Sequence, residues 1–288
     1  MTMAAGFRCA DGVVLCADTE MTIPRWLKYR DSKIRMYGRG KLKCQPVFAF
    51  AGDAHFCGMF MDKLARRISG AETKGEPLLP AIADEALLIH QKFARESYEN
   101  NSRLILSLLG GAEGKRRRYL CEIFGGVVSL VPRSCQGSGV SVTQSMVTEL
   151  FSPDMPTRQA AFFVAYMLAE AKAYGYGVGK DSQILLLFDS GRWALFPDDP
   201  YYPSLEQIEG DYIRLKQLLK PVILAYSDIG VNEAEFQRIL ADFSKYTATH
   251  RQKRSAAYQA LIQQEAERQG DATEECYEDV WPAEREED

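Results

Sequence analysis

The sequence predicts an α+β protein in which two antiparallel sheets pack face to face and carry helices on their outer sides. Three observations predict it: short apolar strands recur between turn signals, helical periods come in adjacent pairs, and the order is strands, two helices, strands, two helices, strands. Bulk composition agrees with a globular chain. Of 288 residues, 46% are hydrophobic and 26% charged, with 35 Lys+Arg against 39 Asp+Glu, which excludes collagen-like, low-complexity and fully disordered classes. A chain of this length buries roughly three quarters of its unfolded surface, so it needs no disulfide or metal staples.

The elements follow in order. Met3 to Cys9 and Val13 to Ala17 form a hairpin around Asp11-Gly12, a pair that tolerates positive φ. A second pair of strands fits Lys33 to Tyr37 and Pro46 to Ala51, separated by Gly38-Arg39-Gly40. Asp53 then caps a helix in which Phe56, Phe60 and Leu64 recur at helical spacing until Gly70. Leu79 to Tyr98 reads as its partner helix. Strands return at Leu104 to Leu109, Tyr119 to Phe124 and Val127 to Val131, with the basic run Gly114 to Arg118 as a solvated hairpin tip. Two more helices fit Val140 to Phe151 and Thr157 to Ala173. A glycine-rich stretch, Gly175 to Gly179, precedes strand and not helix, which argues against a phosphate loop. The strands Ser182 to Phe188 and Arg192 to Phe196 close the sheet-forming part, which ends near Pro197 to Pro200. Leu205 to Leu219 and Glu233 to about Glu267 are helical in pattern, and acidic Asp271 to Asp288 predicts disorder. The expected organisation is a domain over 1–200, a helical extension over 201–270 and a disordered acidic tail over 271–288.

Several function classes find no support. The formal charge of -4 offers no general attraction to nucleic acid or to an anionic membrane. No apolar run is long enough to span a bilayer, and Arg8 and Asp11 fall where a signal peptide needs its apolar stretch, so a cytoplasmic location is expected. Seven scattered cysteines without a C-x-x-C pair read as buried free thiols. His55, His90 and His250 show no zinc-protease spacing and there is no G-x-S-x-G elbow. No metal or cofactor is implied.

The N-terminus carries the chemistry. Methionine before a small residue is commonly removed, which would leave Thr2 with a free α-amine beside its hydroxyl. A threonine hydroxyl is a weak nucleophile until a base takes its proton, and an α-amine with a pKa of about 7.7–8.0 can do so at neutral pH. By itself, Thr2 is also readable as an ordinary start residue.

The stretch Thr2 to Thr19 resembles the opening of proteasome β-type subunits and their bacterial relatives, which are N-terminal-nucleophile (Ntn) hydrolases. The resemblance continues through Ser32-Lys33-Ile34, Phe50-Ala51-Gly52-Asp53-Ala54 and Gly137-Ser138-Gly139, and covers about residues 2 to 197. No helix precedes the first strand, which is similar to the β-type and not the noncatalytic α-type. The resemblance implies a four-layer αββα Ntn-hydrolase sandwich with a C-terminal helical extension. It implies Thr2 as nucleophile, Lys33 as a cation beside its hydroxyl, and Asp18 as the carboxylate holding that cation. It further implies the backbone N–H of Ala49 as oxyanion donor and Ser138 as hydrogen-bond partner of the nucleophile's amine; a plain turn serine is the other reading of Ser138. Val47 is expected near the side-chain pocket, with an apolar or neutral preference.

Two departures stand out. Gly175 and Val178 occupy the loop positions where the family usually carries an aspartate and a serine, and the chain after Pro200 exceeds the usual β-type fold. The resemblance implies a threonine peptidase acting on peptide or unfolded-protein substrates within a homo-oligomeric ring, with an ATP-driven unfoldase as an expected partner class. The alternatives are an Ntn hydrolase of small amides and a catalytically inactive ring subunit.

Overall fold

The computed structural model describes residues 2–23, 27–38, 42–93, 102–111, 116–196, 205–227 and 232–271. The first five-stranded sheet is built from β1 (Met3–Arg8), β2 (Gly12–Asp18), β10 (Arg133–Gly137), β11 (Ser182–Phe188) and β12 (Trp193–Phe196), in the order β10-β1-β2-β11-β12. The second contains β5 (Ile34–Met36), β6 (Val47–Ala51), β7 (Arg103–Gly110), β8 (Arg117–Phe124) and β9 (Val127–Leu130), in that order. A separate hairpin pairs β3 (Glu20–Ile23) with β4 (Leu27–Arg30). Every strand pairing among the described residues is antiparallel. The helices are α1 (Ala54–Lys74), α2 (Leu78–Phe93), α3 (Val140–Leu150), α4 (Thr157–Tyr174), α5 (Leu205–Ser227) and α6 (Glu233–Asp271).

The period-two rule explains why the central strands are apolar throughout. Along β1 and β2, Met3, Ala5, Phe7, Val14 and Cys16 face one cluster with α4 residues Ala160, Val164 and Leu168. Ala4, Val13, Leu15 and Ala17 face the opposite way, into a cluster with Ile34, Val47, Ala49, Ile105 and Leu120 of the second sheet. Phe48, Phe50, Leu104 and Leu106 then turn outward onto Phe60, Leu64 and Ile68 of α1 and Ile82 of α2. Gly6 marks the close approach between the sheets: a Cβ there would stand 2.9 Å from Ile105 and Leu120 side-chain carbons.

Away from the N-terminal end, a polar contact links the two sheets. Arg118, only 1% exposed, donates from Nη1 to Gln45 O (3.1 Å) and from Nε to Phe188 O (3.3 Å). Its backbone N–H donates to Asp189 Oδ1 at 2.6 Å, and Arg8 Nη2 meets Asp189 Oδ2 at 2.8 Å. Burial pulls the Arg118 pKa down to about 10, which still leaves it charged at neutral pH. Arg118 is therefore a buried tie, where the sequence predicted a solvated tip; Gly114 and Lys115 lie outside the described residues.

Other differences have local causes. The α1 helix runs through Gly70 and stops at Gly75, which adopts φ 68° while the Glu76 N–H reaches back to Ala71 O at 2.9 Å. Gly70 has nothing within 4 Å of a would-be Cβ and is simply tolerated. Strand β10 was not predicted because its inward residues are polar: Ser134 and Gln136 are buried, and Gln136 Nε2 donates to Glu122 Oε1 at 2.6 Å. The β3–β4 hairpin was missed because it consists of two four-residue strands carrying Glu20, Lys28 and Arg30, too short and too charged to show alternation. The α5 helix extends beyond Leu219 to Ser227 with Pro221 inside it. The expected helix turns 94–98, the break near Pro197–Pro200 and the tail after Asp271 lie outside the described residues.

The chain divides into two compact units, Met1–Ile213 and Arg214–Asp288. In the first, Leu205 and Ile208 at the start of α5 join the α4 cluster, and Lys172 Nζ meets Glu209 Oε1 at 2.8 Å. In the second, the Arg214 guanidinium lies 5.6 Å from the Tyr246 ring centroid. No helix among the described residues is long and apolar enough to cross a membrane. Truncating Leu15 to alanine in the inter-sheet cluster should cost about 2–5 kcal/mol, read as a lowered urea midpoint with an unchanged slope.

Candidate functional site at the start of the first strand

Strands β1 and β2 pair in register Ala4↔Ala17, so the residue before β1 lies beside the C-terminal end of β2. That placement brings Thr2 to Asp18. The Thr2 hydroxyl donates to Asp18 Oδ1 at 2.9 Å, and the Met3 N–H donates to the same oxygen at 2.6 Å. Lys33, which precedes edge strand β5, sends its ammonium across from the second sheet to Asp18 Oδ1 at 2.8 Å and to Glu20 O at 2.6 Å. The other carboxylate oxygen, Oδ2, accepts the Glu20 N–H at 3.1 Å and the Gly179 N–H at 3.2 Å. Asp18 and Lys33 are fully buried, and Thr2 is 5% exposed.

This is a desolvated ion pair whose remaining lone pairs are filled, the condition under which a buried carboxylate stays ionised. Burial pushes the Lys33 ammonium below its ordinary pKa, while Asp18, and more weakly Glu20 and Asp31, oppose that shift. Glu20 is itself buried, with Lys28 Nζ 2.6 Å from its Oε1. Gly179 packs closely here: a Cβ there would stand 2.4 Å from Glu20 Oε2, so a larger residue would displace that carboxylate. The glycine-rich loop is thus where backbone approaches Asp18, and its glycine was the one sequence signal for that contact.

Ser138 lies beside the main chain of Thr2. Its hydroxyl donates to Tyr176 O at 2.7 Å and stands 3.4 Å from Thr2 O, so its contacts here are with main-chain carbonyls. The preceding Gly137 has φ 97°, and a Cβ there would stand 2.0 Å from Thr2 O, which leaves no room for another residue. In the loop, Gly175 and Val178 have structural roles. The Gly175 N–H donates to Ala171 O at 2.7 Å at the end of α4, and Val178 is buried in the α4 cluster.

Ala49 is not brought to Thr2 in the expected way. It pairs with Ile34 on one side and Ile105 on the other, and its side chain is fully buried between the sheets. Amide directions alternate along a strand; because the Phe50 N–H donates to Lys33 O at 3.2 Å on the β5 side, the Ala49 N–H faces β7. By the same alternation the Gly52 N–H, just past the end of β6, faces the Lys33 side, and it donates no hydrogen bond among the described residues. Val47 is likewise fully buried in the inter-sheet cluster. Among the described residues no group of three or more His, Cys, Asp and Glu side chains is placed to hold a metal.

The model of the proteasome subunit family matches residues 2–178. Among solved structures, the Gly-1 mutant of Anbu from Hyphomicrobium sp. strain MC1 is similar, with a TM-score of 0.60 at 16% identity over 77% of this chain and 99% of that one. Anbu from the same strain superposes with a TM-score of 0.59 at 16% identity, over 81% and 100% of the two chains. At that identity the likeness is one of fold. No curated protein matches in sequence.

Replacing Lys33 by methionine should destabilise the fold by about 3–5 kcal/mol at pH 7, because Asp18 loses its buried counter-charge. Between its depressed pKa and the ordinary lysine value of about 10.4, the folded site binds fewer protons than the unfolded chain. The stability contributed by Lys33 therefore rises with pH through that window, and the difference in denaturation midpoint between wild type and Lys33→Met should widen there.

Proposed function

The chain belongs to the proteasome subunit family, and we propose that it is an N-terminal-nucleophile hydrolase of the threonine type, cleaving peptide bonds through Thr2. The observation that carries this reading is the single oxygen, Asp18 Oδ1, that accepts both the Thr2 hydroxyl and the Lys33 ammonium. A nucleophile and a buried cation sharing one carboxylate oxygen are held close together, and the cation lowers the cost of negative charge forming on the hydroxyl oxygen.

In this reading, removal of Met1 frees the Thr2 amine. The Thr2 hydroxyl oxygen attacks the substrate carbonyl carbon, and its proton passes to the amine, directly or through one water. The Gly52 N–H, aimed toward the Lys33 side and donating no hydrogen bond among the described residues, is a better placed oxyanion donor than the Ala49 N–H that the family resemblance implies. Collapse of the tetrahedral intermediate breaks the C–N bond; the protonated amine gives its proton to the leaving nitrogen and an ester remains on Thr2. Water, deprotonated by the same amine, attacks the ester carbonyl, and the acid product leaves as the proton returns to Thr2 oxygen. Ser138 keeps the loop carrying Tyr176 against the Thr2 main chain, and Asp18 keeps Lys33 charged and oriented.

The three apolar clusters support a four-layer αββα sandwich. Family membership supports a homo-oligomeric ring acting on peptides or unfolded protein in the cytoplasm, with an ATP-driven unfoldase as a partner to test. The structural roles of Gly175 and Val178 favour a second reading, an inactive ring subunit, because neither offers the nucleophile's amine a side-chain partner.

Intact-mass measurement should find Met1 absent, and Thr2→Ala should reduce hydrolysis of fluorogenic peptides by at least about 100-fold. Hydrolysis that survives Thr2→Ala removes Thr2 as nucleophile, and a wild type inert toward peptide and small-amide panels supports the inactive subunit. Light scattering should give a multiple of the 32.4 kDa chain mass, and a monomer at micromolar concentration would count against a ring.

A further inference from the structure

We infer that Gln183 is a positioning residue for the Lys33 ammonium, a latch from the first sheet that holds the main chain from which Lys33 reaches Asp18. The inference rests on reading Thr2, Asp18 and Lys33 as a reactive site, and goes beyond it by naming what places the lysine.

Gln183 lies on β11 opposite Ala17, next to the Ser182↔Asp18 pair. Leu185 and Leu187, two and four residues further on, point into the inter-sheet cluster, so period two aims Gln183 at the second sheet. Its Oε1 accepts the Lys33 N–H at 2.9 Å, and its Nε2 donates to Ser32 Oγ at 3.0 Å. The Ser32 hydroxyl in turn donates to Ile34 O at 2.8 Å. Only the carbonyl end of the amide can accept from a backbone N–H, so the orientation of the Gln183 side chain follows from its partner.

The chain at Lys33 is suspended between two sheets. Its carbonyl accepts the Phe50 N–H from β6 at 3.2 Å, whereas its own N–H goes to Gln183. Strand β5 begins one residue later, is three residues long and forms the edge of its sheet, so regular strand pairing does not supply this N–H with a partner. The two peptide groups flanking the Lys33 Cα are therefore anchored to different sheets. A four-carbon stem leaving that Cα must deliver its ammonium to Asp18 Oδ1 at 2.8 Å and Glu20 O at 2.6 Å. Loss of the Gln183 anchor lets the start of the stem shift while its target stays on the first sheet.

The charged groups facing Lys33 are Asp18, Glu20 and Asp31. Gln183→Leu removes both latch hydrogen bonds and should lower kcat about 10–100-fold, with KM nearly unchanged, as expected when a reacting group is displaced by about 1 Å. Weaker contact with Asp18 should also move the alkaline limb of the kcat pH profile to lower pH. Gln183→Glu keeps an acceptor for the Lys33 N–H and adds a negative charge near the ammonium. It should restore most of the kcat and move the same limb to higher pH.

A Gln183→Leu enzyme with wild-type kcat and pH profile overturns the inference. So does a loss that Gln183→Glu fails to restore with neither limb displaced, because that is the signature of packing alone. If Gln183→Leu does not fold, the direction of the limb in Gln183→Glu decides the matter by itself. If hydrolysis proves independent of Thr2, the catalytic reading fails separately. Lysine-selective 13C NMR of the full chain still follows Lys33 titration, and it should show the same opposite displacements in the two variants; an unmoved titration rejects the latch.

Discussion

Asp18 is the constraint on which the site depends. Its carboxylate collects hydrogen bonds from the Thr2 hydroxyl, the Met3, Glu20 and Gly179 amides and the Lys33 ammonium, groups from four separate stretches of chain. Each donor favours the ionised carboxylate, and the ionised carboxylate is what makes a buried lysine ammonium tolerable. Neither charge is stable at full burial without the other and without the amides that complete the shell. Electrostatics thus ties together segments that apolar packing alone would leave free to slide.

Packing sets the distances over which that electrostatics acts. Thr2, Met3 and Asp18 belong to the first sheet, Lys33 to the edge of the second, and the gap between them is fixed by the inter-sheet cluster around Leu15, Ala49, Ile105 and Leu120. Gly6 permits the close approach there, and Gly137 and Gly179 permit it beside Thr2 and Glu20. Away from the N-terminal end, Arg118 and Asp189 fasten the same two sheets with hydrogen bonds. The spacing between the sheets is therefore set by an apolar layer with polar ties at two places, and the Lys33 to Asp18 contact inherits its length from that spacing.

Family membership and local geometry support different parts of the functional reading. Family membership covers residues 2–178, beginning at Thr2 at the start of the first strand. Geometry accounts for what membership leaves open. Gly175 and Val178 serve the end of α4 and its apolar cluster and offer the proposed nucleophile no polar side chain. By the direction of each amide along β6, the proposed oxyanion donor is the Gly52 amide and not that of Ala49.

Much of the fold was legible in the residues. Apolar runs such as Val13 to Ala17, the Asp53 cap that accepts the Phe56 N–H at 2.8 Å, and the paired helical periods are local signals, because each depends on contacts or conformations within a few residues. Strand β10 and the β3–β4 hairpin were not legible, since Ser134, Gln136 and Glu20 are polar residues made acceptable inside the protein by partners on neighbouring strands. The candidate Thr2, Asp18, Lys33 and Ser138 were visible as residue types in a recognisable order. Sequence by itself determined the apolar strands, the helices and the chemical groups, because periodicity, capping and residue type are properties of short stretches of chain. Only the tertiary structure decided which amide faces which neighbour, that Arg118 is buried, and that Gln183 meets the main chain of Lys33 150 residues away, because those contacts depend on how two sheets dock and leave no trace in local pattern.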